Sequence, residues 1–218
     1  MPFDHNDHYH RTLLRRVPPG CARALDVGCG AGRFARRLAA RGIEVDAVDP
    51  AAEVIEAARA AGGGPRFLHA DITDMELPEG HYDFVSCLAS IHHVPFATVS
   101  RLRRALAPGG VLAVLGCYRE TSAADLAWSL AAVPVNAVAR AAVAVRERGG
   151  ESGVRAPVRQ PEMSLAEIRG EAAGLLPGAR IRRLLFWRYL LVHREPAQPL
   201  PAGLSCTCRA GRRPGGRR

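Results

Sequence analysis

Between residues 24 and 115 short apolar runs alternate with helix-patterned stretches, and glycine or proline punctuates nearly every junction. Ala24–Val27, Glu44–Val48 and Arg66–Ala70 read as strands, followed by Tyr82–Val85 within 81–87 and by Val111–Leu115. The helices between them read as Arg33–Arg41, Ala51–Ala61 and Ala97–Leu106. The first carries Phe34, Ala35 and Leu38 on one side and is closed by Gly42; the second follows Pro50 and stops at Gly62-Gly63-Gly64. Strands linked by helices of this length return to the same edge and run parallel. The alternation therefore predicts a parallel sheet with helices on both faces.

The flanks depart from that rhythm. A polar leader and a short helix over Tyr9–Arg16 fill residues 1–20, ending at Pro18-Pro19-Gly20. Residues 119–161 hold two helical stretches, one capped by Ser122 with Asp125 three places on, the other starting at Pro134. An insertion of that length is expected to cap the functional end of the sheet. A helix near Ser164–Leu176 and a β pair, Arg180–Leu185 with Trp187–His193, complete one domain over 21–195. Residues 196–218 are dominated by proline, glycine and arginine and are expected to form a disordered tail.

A chain of 218 residues can bury a full core without disulfides or metal. Its net charge of +9 comes from 30 basic residues, every one an arginine. Five of them (Arg209, Arg212, Arg213, Arg217, Arg218) lie in the last ten residues, and without them the balance drops to +4. The body is only mildly basic, which argues against a dedicated nucleic-acid partner. The six cysteines show no disulfide-framework or zinc spacing, so a reducing cytoplasm is the expected compartment and no metal is expected. The longest uncharged run, Leu126–Ala139, is too short for a bilayer and contains Pro134 and Asn136. The N-terminus lacks a basic start followed by an apolar run, so no secretory leader is expected.

The turn after the first strand, A-L-D-V-G-C-G-A-G-R, decides the ligand class. Glycines between strand and helix let backbone approach a ligand closely. A nicotinamide dinucleotide site would want glycine or alanine at position 33, which is Arg33, and the third glycine falls one place early at Gly32. Asp26, inside the strand, is a poor neighbour for a pyrophosphate and a sensible one for a cationic amino-acid end. Asp49 closes the second strand 21 residues after Gly28, where a carboxylate can take both hydroxyls of a ribose. Asp71 closes the third strand, within reach of an exocyclic adenine amine.

Six blocks, L-D-V-G-C-G-A-G-R-F, V-D-A-V-D-P, A-D-I-T-D, Y-D-F-V-S-C, I-H-H-V and L-A-P-G-G-V-L, stand in the order and spacing of a known family. Over residues 21–118 the chain closely resembles the class I S-adenosylmethionine-dependent methyltransferases, and R-Y-L-L-V-H-R fits that family's closing strand less specifically. The resemblance implies an α/β, doubly wound, Rossmann-like sheet of seven mostly parallel strands with an antiparallel last strand. It implies S-adenosyl-L-methionine as cofactor and methyl transfer to an O, N or C atom of an acceptor. Carried over by position, Gly28, Gly30 and Gly32 would face the methionine part and Asp26 would help orient it. Asp49 would hold the ribose, Pro50 would lie against the adenine, and Asp71 with the Ile72 amide would read the adenine edge.

His92 and His93, after the fourth strand, are the catalytic candidates beside the expected methyl. A hydroxyl acceptor needs a base and a neutral amine does not, so a catalytic and a structural role both stay open. The cluster His5, His8, Tyr9 and His10 reads as a solvated leader in preference to a metal site or a lid. Cys29 and Cys117 read as small residues at the core edge. The alanine- and valine-rich insert, with Leu126, Trp128 and Leu130, suits the wall of an apolar pocket for a small-molecule acceptor. A tRNA or protein acceptor, an NAD-dependent oxidoreductase and a non-catalytic adenosine-ligand binder are the competing readings.

Overall fold

The computed structural model describes residues 5–121, 160–185 and 187–197, with side chains from His8 onward. Most of the expected insert and nearly all of the expected tail lie outside the described residues. Seven strands, β1 (Arg23–Val27), β2 (Glu44–Asp49), β3 (Arg66–His69), β4 (Tyr82–Leu88), β5 (Leu106–Cys117), β6 (Arg180–Arg183) and β7 (Arg188–Arg194), form one sheet in the order β3-β2-β1-β4-β5-β7-β6. The β1–β2, β2–β3, β1–β4 and β4–β5 pairs are parallel, and β7 runs antiparallel to both β5 and β6. The seven-stranded α/β sheet with its reversed last strand is the architecture the sequence implied.

Chain order begins in the middle of the sheet. β1 is followed outward by β2 and β3, and the chain then returns to place β4 on the other side of β1. The strand order reverses between β1 and β4, and open α/β sheets offer a ligand crevice at the carboxyl ends of such a pair.

Period-two alternation divides the core between the two faces. On one face Leu25, Val85, Leu112 and Val114 pack with Val99 and Leu102 of α4 (Thr98–Arg104) and Ile168 of α5 (Leu165–Leu175). On the other Ala24, Phe84, Ala113 and Leu115 pack with Phe34 and Leu38 of α2 (Arg33–Ala39) and Ile55 of α3 (Ala52–Ala60). Val111–Leu115 is buried throughout, as a strand covered on both faces requires. α5 starts at a capping box, with the Glu167 N–H donating to Ser164 Oγ at 3.3 Å and the Ser164 N–H donating to Glu167 Oε2 at 2.7 Å.

Two boundaries moved for identifiable reasons. β5 reaches back to Leu106 through Pro108-Gly109-Gly110, because Gly110 sits where a Cβ would be 3.0 Å from the Tyr82 carbonyl and 2.8 Å from that of Ala107. Only a residue without a side chain fits there. α1 begins at His5 and runs to Leu14, four residues earlier than expected. Tyr9 and Leu13 enter the second core, the Tyr9 hydroxyl donates to the Leu185 carbonyl at 3.0 Å, and the His10 ring lies 5.1 Å from that of Phe34. The polar leader thus contains a docked helix, with His8 exposed and Tyr9 and His10 buried.

Arg36, on α2, holds that face together. Its guanidinium donates to the carbonyls of Gly62 (2.7 Å), Ala31 (2.6 Å) and Ala58 (2.9 Å), and lies 5.3 Å from the centre of the Phe67 ring. One side chain therefore ties the loop before α2 to α3 and to the loop after it.

Candidate functional site

The glycine turn hangs from β2. The N–H groups of Gly28 and Cys29 both donate to the Val48 carbonyl, at 2.8 and 3.0 Å. Gly28 has φ +67°, and a Cβ there would come within 2.2 Å of Ser90 Cβ and 2.9 Å of Ser90 Oγ. Ser90 in turn donates to the Val27 carbonyl at 2.6 Å. Ala89, just before it, holds a left-handed φ of +53° while its N–H donates to the Leu115 carbonyl at 2.7 Å. A non-glycine residue kept in that region stores strain, a feature concentrated at functional loops. The bend delivers the chain into a 3-10 turn, Ile91–His93, with Ile91 buried and the rings of His92 and His93 4.2 Å apart.

Gly30 is the open point of the loop. It has φ +53°, nothing within 4 Å of the place a Cβ would take, and an N–H that donates to Asp49 Oδ2 at 2.9 Å. Asp49 Oδ1 accepts the Ala51 N–H at 3.0 Å, and the residue is 7% exposed. Each carboxylate oxygen can accept more than one bond, so both retain capacity for a ligand's hydroxyls. Gly32, at φ +73°, caps α2, and a Cβ there would strike the Phe67 ring at 2.4 Å.

Asp26 is placed differently from its neighbours. At 1% exposure it accepts the Ser86 hydroxyl at 2.7 Å and the backbone N–H of Ala35. Burial pushes its carboxyl from the ordinary 3.8 up to about 7; the two hydrogen bonds oppose the rise and the charge on Asp49 adds to it. Burial also raises the Cys29 and Cys117 thiols, which leaves both as poor nucleophiles.

At the end of β3, Asp71 is exposed, and its Oδ1 accepts both the N–H and the hydroxyl of Thr73 at 2.8 Å. Those two bonds hold its carboxyl below the usual range. Ile72 is buried and its carbonyl accepts from Arg101 at 3.2 Å; Arg101 also donates to the carbonyls of Thr73 and Met75. Pro50 is exposed, with its carbonyl 3.1 Å from His69 Nε2.

All the sequence candidates therefore come from the carboxyl edge of β1 to β4. Gly30 is joined directly to Asp49 and Gly28 to the neighbouring Val48, Asp71 and Ile72 follow just beyond the end of β3, and Asp26 is sealed inside. No sequence signal marks Ser86, Ser90, Arg36 or Arg101. Each is a residue of ordinary type whose defining partner is distant in sequence: Gly62 for Arg36, Asp26 for Ser86, Val27 for Ser90 and Met75 for Arg101. Among the described residues no helix is long and apolar enough to cross a membrane.

Comparison with known proteins bears on the family and the fold. A family described as a methyltransferase domain matches residues 25–114. An uncharacterised methyltransferase of Mycobacterium tuberculosis is 38% identical over 201 residues, covering 90% of this chain and 98% of that protein. A ubiquinone biosynthesis O-methyltransferase of Xanthomonas axonopodis is 33% identical over 132 residues, which is 57% of this chain and 54% of that protein. Among solved structures, the magnesium protoporphyrin IX methyltransferase of Synechocystis, with bound S-adenosylhomocysteine, matches with a TM-score of 0.55 and 19% identity. That match covers 87% of this chain and 81% of the other, and at such identity it is a likeness of fold.

Proposed function

The chain belongs to the class I S-adenosylmethionine-dependent methyltransferases, and from that premise we propose that it methylates a small, fairly apolar molecule, with Gly28–Gly32 and Asp49 as the cofactor cradle. The observation that carries the placement is the open space at Gly30 beside a carboxylate with acceptor capacity to spare. S-adenosylmethionine, when bound, supplies a methyl group on a sulfonium, ready for in-line displacement. The chain's own work is then alignment and exclusion of water, and orientation of this kind contributes roughly 7–11 kcal/mol to such reactions.

In this reading Asp49 accepts both ribose hydroxyls while still holding the Gly30 and Ala51 amides. Gly30 leaves room for the methionine part, while Gly28 and Gly32 let the loop close against Ser90 and Phe67. The exposed ring of Pro50 lies along the adenine, and Asp71 and the Ile72 amide read its edge. His92 and His93 stand at the end of β4, where one imidazole takes the proton of a hydroxyl acceptor. Oxygen is the acceptor atom this reading favours, because a partial relative is an O-methyltransferase and because a hydroxyl is the acceptor that needs a base. The free thiols of Cys21, Cys29, Cys87 and Cys117 suit a reducing cytoplasm.

Calorimetry with S-adenosylmethionine, S-adenosylhomocysteine and NAD tests the cradle. The first two are expected to bind with about −5 to −8 kcal/mol, and NAD binding of equal strength would sink the placement. Acceptor libraries incubated with methyl-labelled cofactor, read by mass spectrometry, identify the product. With an oxygen acceptor in hand, His92→Ala or His93→Ala should slow turnover by roughly 100-fold with cofactor affinity kept. Full activity in both variants would remove the base from the mechanism.

A further inference from the structure

Asp26 is a carboxyl group sealed in the sheet, two residues before the glycine turn, with no cation among the described groups that act on it. Its register partners are Ala47 on β2 and Ser86 on β4. The groups that act on it are the Ser86 hydroxyl on β4, the Ala35 amide on α2 and the charge of Asp49 on β2. The Cys29 thiol of the loop and the Cys87 thiol of β4 both sense its charge. Two donors and a second acid surround it, an arrangement that can accommodate a carboxylate but supplies no counter-charge. A carboxyl so placed holds its proton until a positive group arrives, since an opposite charge nearby favours the ionised form.

We propose that Asp26 positions the glycine loop through a carboxylate that becomes charged as the loop receives a cationic ligand, so that cofactor capture and proton release are one event. This rests on the cradle reading above. S-adenosylmethionine brings a sulfonium and an ammonium to that loop, and the proton leaves for solvent with no covalent change. In its charged state the carboxylate accepts the Ser86 hydroxyl and the Ala35 amide more strongly, which draws α2 and β4 onto the strand that carries the loop. Asp26 need not touch the cofactor to do this. It acts through the elements that frame the loop.

The sign follows from where the carboxyl titrates, about 7 against 3.8 when solvated. Below that point a proton must be expelled for the cation to bind, so affinity falls as pH falls. Between about pH 5 and pH 7 the parent should lose up to about tenfold in S-adenosylmethionine affinity per unit, whereas Asp26→Asn should lose little over the same range. The cofactor's own ammonium titrates at about 8 and stays charged throughout that window. Calorimetry at pH 7 in buffers of different ionisation enthalpy should count roughly half a proton released by the parent and close to none by Asp26→Asn. The unliganded proteins give a second readout. Ionising a buried acid opposes folding as pH rises through 3.8–7, so Asp26→Asn should gain melting temperature over the parent at pH 8 but not at pH 4.

Imidazoles titrate in the same window, and His92 and His93 border the same crevice. His92→Gln and His93→Gln are therefore measured alongside. A pH slope that survives in Asp26→Asn, or that vanishes in a histidine variant, overturns the proposal. Failure of the parent to bind S-adenosylmethionine at any pH overturns the cradle reading instead.

Discussion

Gly28→Ala is expected to lower the midpoint of thermal unfolding by about 10 °C. Two costs combine at that position. A side chain at φ +67° costs roughly 1–2 kcal/mol, and forcing a methyl group into the space held by Ser90 costs roughly 1–3 kcal/mol more. For a chain of this size each kcal/mol moves the midpoint by about 2–4 °C. The second cost can be isolated, because the atoms in the way belong to Ser90. In a Ser90→Gly background the same Gly28→Ala change should cost on the order of 1–3 kcal/mol less, while the backbone cost remains. Equal penalties in the two backgrounds, measured by circular dichroism melts, would show that packing against Ser90 is not why glycine stands there.

Asp49→Ala should weaken S-adenosylmethionine binding by about 10- to 100-fold or more. Charge-assisted hydrogen bonds are worth roughly 1.5–3 kcal/mol each, and the ribose presents two hydroxyls to this carboxylate. The variant also leaves the Gly30 and Ala51 amides without their acceptor, so a loss of about 1–3 kcal/mol of stability accompanies the loss of affinity. Asp49→Asn separates these effects only in part. Its amide nitrogen cannot accept from an N–H, so one of the two backbone donors is orphaned while the carbonyl oxygen serves the other. Its affinity should fall between parent and alanine variant. An Asp49→Ala protein that binds as tightly as the parent would mean that the adenosine lies elsewhere.

The strand–helix alternation was legible because its signals are local: apolar runs, helical periodicity, and glycines at the joints. The positions of the three glycines, Asp49 and Asp71 were legible for the same reason, since each stands at or just beyond the end of a strand. What sequence could not carry was the state of those groups once packed. Asp49 reads as an acid waiting for a ribose, yet its oxygens also accept two amides of its own chain. Asp26 reads as a ligand contact, yet the helix and strand around it close to 1% exposure. Ser90 is one serine among several until the fold sets it against Gly28, 62 positions away. α1 carries too many histidines to read as a docked helix from its beginning, and only the packing of Tyr9 and Leu13 reveals it.

Because chain order begins at the centre of the sheet and moves first to the β3 edge, the cofactor half of the proposed site is finished by residue 72. Its contributors occupy a single unbroken stretch, Asp26–Ile72, and the sheet reaches the histidines only afterwards. Acceptor preference can thus drift through residues beyond that stretch without rewriting the cradle, provided that Ser86 and Ser90 keep their contacts with Asp26 and Gly28.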